Sequence, residues 1–279
     1  MSTTQSSSSS LPSSLILVGA GKMGGAMLQG WLSLGLPGRN VTVLDPFAGP
    51  EMVKLCSDQS VALNPPVSSL SAPQVLVLAI KPQMLDEAAP GIAPLVGSET
   101  LVVSILAGKT IANITARLPA KAVARAMPNT PASVGRGITG VAANAQTTAA
   151  QRAMADALLR AIGQVEWVAD EGLIDAVTAV SGSGPAYVFH MVEALAAAGE
   201  KAGLPADIAL RLARATVEGA GELLHAEPDT SAAQLRKNVT SPGGTTAAAL
   251  EVLMGEGGLT PLMERAVAAA ARRAGELSG

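Results

Sequence analysis

The sequence predicts a doubly wound α/β sheet domain followed by an all-α domain, and three observations predict it. First, Leu15-Ile-Leu-Val18, Val75-Leu-Val-Leu-Ala-Ile80 and Leu101-Val-Val-Ser-Ile-Leu106 are short, continuous apolar runs. Strands buried on both faces of a parallel sheet have this pattern. Second, segments with helical spacing alternate with such runs up to residue 169. Third, strand signals stop at Asp170, and everything beyond suits helices. The expected division is a disordered tail over 1–14, a sheet domain over 15–169 and an all-helical domain over 170–279.

Residues 2–14 are rich in Ser, Thr and Gln, with one proline and no basic residue. A secretory signal needs a positive start and an apolar middle, and this tract has neither. The run at 15–18 enters a glycine-rich turn and then a helix over about 23–34. Val41-Thr-Val-Leu-Asp45 reads as the second strand, 46–50 as a turn and 52–57 as a short helix. Between the strands at 75–80 and 101–106, residues 83–96 read as a helix broken near Pro90. A further helix is expected over 110–118, then strands at 122–126, 138–142 and 165–168, with a helix over 148–162 between the last two. Beyond Asp170, helices are expected over 173–180, 186–202, 206–225, 231–238, 245–254 and 261–276. Gly203-Leu-Pro205, Pro228, Ser241-Pro-Gly-Gly244 and Gly257-Gly258 punctuate them.

Bulk properties narrow the function. A chain of 279 residues, 48% hydrophobic and 15% charged, has room for two domains and a sizeable core. With 2% aromatic residues, that core is built from Ala, Leu, Val and Met, and a further interface is expected to complete it in an oligomer. A net charge of −3 without a basic block argues against nucleic acid. A single cysteine excludes an internal disulfide framework, suits a cytoplasmic protein and, with two histidines, argues against a zinc site. No apolar run reaches membrane-spanning length without a charge or a breaker.

Gly19, Gly21 and Gly24 have the spacing of a dinucleotide-binding fingerprint, and they sit between an apolar strand and a helix as that motif requires. The helix start would offer free N–H groups and the positive end of its dipole to a pyrophosphate. Asp45 lies about where an acid accepts from the adenosine ribose hydroxyl. It equally suits the start of the Asp-Pro turn. A carboxylate there repels a 2′-phosphate and leans the reading to NADH, whereas Arg39 and Lys54 are the residues that would rescue NADPH.

Ala79-Ile-Lys-Pro82 and Ser104-Ile-Leu-Ala-Gly108 end strands at the carboxyl edge, where open α/β sheets bind ligands. Lys81 either lines that cleft or is the solvated end of a strand. Met127-Pro-Asn-Thr-Pro131 either closes over a nicotinamide or turns a domain corner. In the helical part, Ser181-Gly-Ser-Gly-Pro-Ala-Tyr187 and Thr240-Ser-Pro-Gly-Gly-Thr-Thr246 are glycine-rich helix starts with hydroxyls, suited to a small anion such as a carboxylate. A general base for an alcohol is missing: His190 and His225 fall inside helices, and no lysine follows Gly182-Ser-Gly184. Reducing an imine asks less, because its nitrogen is already basic and a threonine hydroxyl suffices as partner.

Taken in order, the glycine loop, Ala79-Ile-Lys-Pro82, Met127-Pro-Asn-Thr-Pro131, the run from Asp175 to Tyr187 and Ser241-Pro-Gly-Gly-Thr-Thr246 resemble the pyrroline-5-carboxylate reductase family, from about Leu15 to Glu276. The resemblance implies a Rossmann-type sheet followed by an all-α dimerisation and substrate domain. It implies reduction of 1-pyrroline-5-carboxylate to L-proline with NADPH or NADH, the last step of proline biosynthesis. Members are dimers or rings of dimers whose helical domains interleave, so that each active site borrows from a neighbour. Val18, Gly19, Ala20, Gly21, Lys22 and Met23 would then wrap the pyrophosphate, and Asp45 would meet the adenosine ribose. Ala79, Ile80, Lys81 and Pro82, with Ile105, Leu106 and Ala107, would line the cofactor, and Asn238 would reach it from the helical domain. Ser241, Gly243, Gly244, Thr245 and Thr246 would hold the substrate carboxylate. Thr246 would also donate to the ring nitrogen as the catalytic residue, and Glu171 would approach substrate from the partner chain. Relatives often carry Ser, Asn or Arg where Asp45 stands, and favour NADPH. Two other readings stay open: a β-hydroxyacid dehydrogenase-like oxidoreductase, and a non-catalytic module that senses NAD(P).

Overall fold

The structure, a computed structural model, describes residues 11–278; of the tail expected over 1–14, residues 1–10 lie outside the described residues. The described residues divide into two compact units, one of residues 11–182 with 271–278 and the other of residues 183–270.

The first unit is built on β1 (Leu15–Val18), β2 (Val41–Leu44), β3 (Ala62–Leu63), β4 (Val75–Leu78), β5 (Leu101–Ser104), β6 (Ala122–Met127), β7 (Gly137–Ala143) and β8 (Gly163–Trp167). They form one sheet in the order β3-β2-β1-β4-β5-β6-β7-β8. The chain starts in the middle, at β1, and winds outward both ways, which puts the topological switch point at the carboxyl ends of β1 and β4, where open α/β sheets bind ligands. Register is in step across that centre: Leu15 faces Val41 on one side and Val75 on the other.

Alternate residues of each central strand feed opposite cores. Leu15 and Leu17 pack with Met27, Leu28 and Trp31 of α1 (Lys22–Ser33) and with Leu158 and Leu159 of α5 (Ala149–Arg160). Ile16 and Val18 pack with Leu85 and Ile92 of α3 (Leu85–Ile92) and with Ile114 of α4 (Ile111–Thr115). Trp31 is fully buried, and its indole N–H donates to the Leu158 carbonyl at 2.8 Å, tying α1 to α5. Between β2 and β3 lies α2 (Pro50–Asp58).

Two expectations are corrected, for residues 11–14 and for Pro90, and two further features had no sequence reading. Leu11 to Ser14 do not belong to a disordered tail: Leu11 packs on the core, the Ser13 N–H donates to Gln74 Oε1 at 2.7 Å, and Ser14 Oγ accepts from the Gln74 N–H at 3.0 Å. Strand β3 gave no sequence signal because only two residues pair with β2. The β6–β7 pair is antiparallel, because the link between them, a 3-10 turn at Thr130–Val134, is too short for a parallel crossover. Pro90 does not break α3, which runs on to Ile92 before a 3-10 turn at Ala93–Leu95; its missing N–H costs one helical bond.

After β8 come α6 (Ile174–Val177) and a π-helical turn at Thr178–Gly182. The second unit holds α7 (Gly184–Lys201), α8 (Ala206–Ala226), α9 (Ala232–Asn238) and α10 (Thr245–Met254). It also holds the first part of α11 (Leu259–Ser278), whose last turns belong to the sheet unit. Helices α7 and α8 pack through small residues: Ala196, Ala209 and Ala213 are buried, and a side chain at Gly199 would press on Ala209 Cβ at 3.2 Å. Larger apolar groups, among them Phe189, Leu195, Leu212, Leu223, Val252 and Met254, stay exposed within the chain. Among the described residues no helix is long and apolar enough to cross a membrane.

Trp31→Ala is expected to cost about 3–5 kcal/mol of stability, through the cavity and the unpaired Leu158 carbonyl. Equilibrium urea unfolding of the purified variant measures this, and an unshifted midpoint would refute the role given to Trp31.

Candidate active site

The sheet unit assembles its candidate residues at the carboxyl edge of β1, β2, β4 and β5. There the backbone ladder runs one residue past the strands: Gly19 N–H donates to the Leu44 carbonyl, Ala79 N–H to Val18 and Ile105 N–H to Leu78, at 2.9, 2.8 and 3.0 Å. Gly19 has a φ of +90°, in the region that favours glycine, and a Cβ there would meet the Ala79 backbone at 2.8 Å. At Gly24 a Cβ would lie 2.2 Å from the Gly19 carbonyl oxygen, so α1 sits directly on the turn. Gly21 differs: nothing lies within 4 Å of where its Cβ would be.

This cradle fits a pyrophosphate. Gly21 caps α1 without a side-chain bond, and no acidic residue stands in the first turn. The leading N–H groups and the positive helix end are therefore open to an anion. Lys22 is exposed and Met23 half-buried beside them.

Asp45 caps the Asp-Pro turn and ties it to the glycine loop. One carboxylate oxygen accepts from Ala20 N–H in the glycine loop at 2.7 Å, and the other from Phe47 N–H in the Asp-Pro turn at 2.8 Å. Asn64 pins the same residue from below, accepting from Asp45 N–H and donating to its carbonyl, each at 2.8 Å. Asn64 holds a φ of +50°, tolerable for its short amide side chain. Sequence reasoning missed Asn64; its only signal was an amide after an apolar pair.

Ala79, Ile80, Lys81 and Pro82 continue β4 into a 3-10 turn, with Lys81 exposed. Ile105 is half-buried and Ala107 exposed, whereas the Leu106 side chain is buried in the core, so that residue presents backbone only. The 127–131 loop turns a corner: buried Asn129 donates to the Ser181 carbonyl at 3.2 Å and accepts from Ile138 N–H at 2.9 Å. The Ser181-Gly-Ser-Gly motif is not an open turn, because Ser181 Oγ and Thr178 Oγ1 donate to the Val177 and Ile174 carbonyls inside the helical run.

Glu171 lies in the sheet unit. Its Oε1 accepts from Ile111 N–H at 2.7 Å and from Arg125 Nη1 at 3.1 Å. Arg125 is buried, with Asp175 Oδ1 at 3.7 Å and Ser278 Oγ at 3.5 Å. A guanidinium this deep is costly unless paired, and two carboxylates supply the pairing. The signal for Arg125 was available: it is the one charge inside the apolar run 122–126.

The helical unit presents the second set. Gly244 caps α10 without a side-chain bond, and no acid stands in its first turn. Ser241, Gly243 and Thr245 are exposed and Thr246 is half-buried. Gly243 has a φ of +69°, and Gly244 N–H donates to the Ser241 carbonyl at 3.1 Å, closing a tight turn ahead of the helix. Asn238 is exposed at the end of α9, its Oδ1 accepting from Gln234 Nε2 at 2.8 Å. Cys56 is buried, and that burial pushes its thiol up from its ordinary value. His190 is an exposed partner of Glu193.

Residues 171–277 match the family described as pyrroline-5-carboxylate reductase dimerisation, and residues 14–108 the one described as NADP oxidoreductase, coenzyme F420-dependent. A pyrroline-5-carboxylate reductase of Pseudomonas aeruginosa is 39% identical over 266 residues, covering 95% of this chain and 96% of its own. One from Synechocystis is 50% identical over 206 residues, 73% of this chain and 75% of its own. The solved pyrroline-5-carboxylate reductase of Coxiella burnetii superposes with a TM-score of 0.87 at 36% identity, over 96% of this chain and 99% of that one. A Plasmodium falciparum pyrroline carboxylate reductase with NADP bound gives a TM-score of 0.76 at 26% identity, over 95% and 98%.

Gly24→Ala must lift α1 off the Gly19 carbonyl and displace the cradle. Dinucleotide binding is expected to weaken on the order of 10²-fold, as for a comparable misplacement of a positioned group. Fluorescence titration of the folded variant reads this directly; wild-type affinity would reject the cradle.

Proposed function

The chain belongs to the pyrroline-5-carboxylate reductase family, and from that premise we propose that it reduces 1-pyrroline-5-carboxylate to L-proline with NAD(P)H, the last step of proline biosynthesis. One observation carries the reading: the two family matches span both the glycine loop and the 241–246 turn. Each of these is a helix start with no side-chain cap and no acid, one suited to a pyrophosphate and the other to a carboxylate.

When bound, the nicotinamide supplies the hydride that the C5 carbon of the imine accepts. The chain's own work is to hold and orient. The turn from Val18 to Met23 wraps the pyrophosphate, which takes the uncapped N–H groups at the start of α1, and Asp45 meets the adenosine ribose. Ala79 to Pro82 and Ile105 to Ala107 line the coenzyme, with Asn238 reaching it. Ser241, Gly243, Gly244 and Thr245 hold the substrate carboxylate, and the Thr246 hydroxyl donates to the ring nitrogen. Glu171 approaches the substrate of a neighbouring subunit, its carboxylate kept in place by Arg125 and Ile111 N–H. Rate enhancement comes from positioning and from the fixed dipoles of a helix start, with no strong acid or base.

Asp45 favours NADH, because its carboxylate is held by two N–H groups and cannot swing away from a 2′-phosphate. A cytoplasmic homodimer or ring of dimers is the proposed assembly. Its support is the match to a dimerisation family and the uncovered apolar side chains of α7, α8 and α10.

Thr246→Ala is expected to lower kcat at least about tenfold, the effect of losing one positioned donor, while Thr246→Ser keeps most of it. Steady-state oxidation of NADH and NADPH, side by side with pyrroline-5-carboxylate, checks both points. Unchanged kinetics in Thr246→Ala would remove that residue from the mechanism. Failure of the wild-type protein to oxidise either coenzyme would remove the activity.

A further inference from the structure

Phe47 has the highest exposure of the large apolar side chains among the described residues, at 82%. A lone exposed apolar side chain is ordinary, so position and not exposure marks this ring out. The fold does not use it: neither apolar core includes Phe47. Its backbone, by contrast, is held firmly. The Phe47 N–H donates to the Asp45 carboxylate, whose other oxygen holds the Ala20 N–H of the glycine loop. Pro46 fixes φ between the two residues, and Asn64 clasps both backbone groups of Asp45. The root of the ring is thus fixed to the residue that meets the ribose and, through it, to the loop that meets the pyrophosphate.

We infer that Phe47 is the platform on which the adenine of the coenzyme stacks. This rests on the coenzyme reading above and assigns its outermost group. Pyrophosphate, ribose and adenine follow one another along a dinucleotide, and the glycine loop, Asp45 and Phe47 follow one another along this edge. Adenine has an apolar π-face that water solvates poorly, and an exposed phenyl ring offers its match. Stacking of this kind is tolerant of ring type, so another aromatic serves in its place.

Calorimetric titration with ADP-ribose, which keeps the adenine, both riboses and the pyrophosphate and lacks only the nicotinamide, tests the assignment without turnover. Phe47→Ala is expected to weaken ADP-ribose binding at least about fivefold, and Phe47→Tyr to stay within about twofold of wild type. Binding of reduced nicotinamide mononucleotide, which has no adenine, is expected to be the same in wild type and Phe47→Ala. An unchanged thermal midpoint is expected, because the ring packs in neither core. Wild-type ADP-ribose affinity in Phe47→Ala overturns the inference, and so does an equal loss for the mononucleotide. If the wild-type protein takes up no ADP-ribose, the coenzyme reading itself fails and the inference falls with it.

Discussion

The carboxyl edge of the sheet depends on how closely α1 can lie on the turn before it. That closeness is steric: the Gly24 Cα rests on the Gly19 carbonyl, and the Gly19 Cα on the Ala79 backbone, with no room for a methyl group at either. Once helix, turn and β4 are in contact, the first N–H groups of α1 are carried over the carboxyl edge of the paired strands β1 and β4. Gly21 alone of the three has open space before it, which leaves a backbone surface that a charged group can reach. Two glycines make the contact and one makes the opening.

Asp45 extends the same logic sideways. A lone carboxylate at a strand end would be free to turn; this one is gripped by a loop N–H and a turn N–H, and its backbone is clasped by Asn64. The edge strand β3, two residues long, has its use here, for it delivers Asn64 to that position. In the helical unit the economy is different. Alanines and glycines let α7 and α8 approach closely but bury little area, and the large apolar groups are left for other surfaces to cover.

Much of this was legible in the sequence where local chemistry decides the outcome. The apolar runs at 15–18, 75–78 and 101–104 became central strands because burial on both faces demands uninterrupted apolar residues. The glycine spacing and the 241–246 turn were visible for the same reason, since only glycine fits Gly19 and Gly243 comfortably. What stayed hidden depends on partners distant in sequence. Strand β3 forms because β2 is already there, and Leu11 to Ser14 order because Gln74 is. Glu171 could be named only through the family resemblance, and its bonds to Arg125 and Ile111 join residues 46 and 60 positions apart. The Ser181-Gly-Ser-Gly stretch looked like a turn because its composition is that of a turn; hydroxyls bonded back to carbonyls keep it helical instead.

The path of α11 has a bearing on how the molecule is born. Its closing turns lie with the sheet, where Leu277 touches Gly108 and Ser278 joins Arg125 and Asp175. A ribosome that has delivered all eight strands has therefore not yet delivered the whole of the unit they belong to. Residues 183–270 must be made first, so the sheet waits for the helices before its last contacts close, and nascent chains of intermediate length carry an unfinished surface around Arg125.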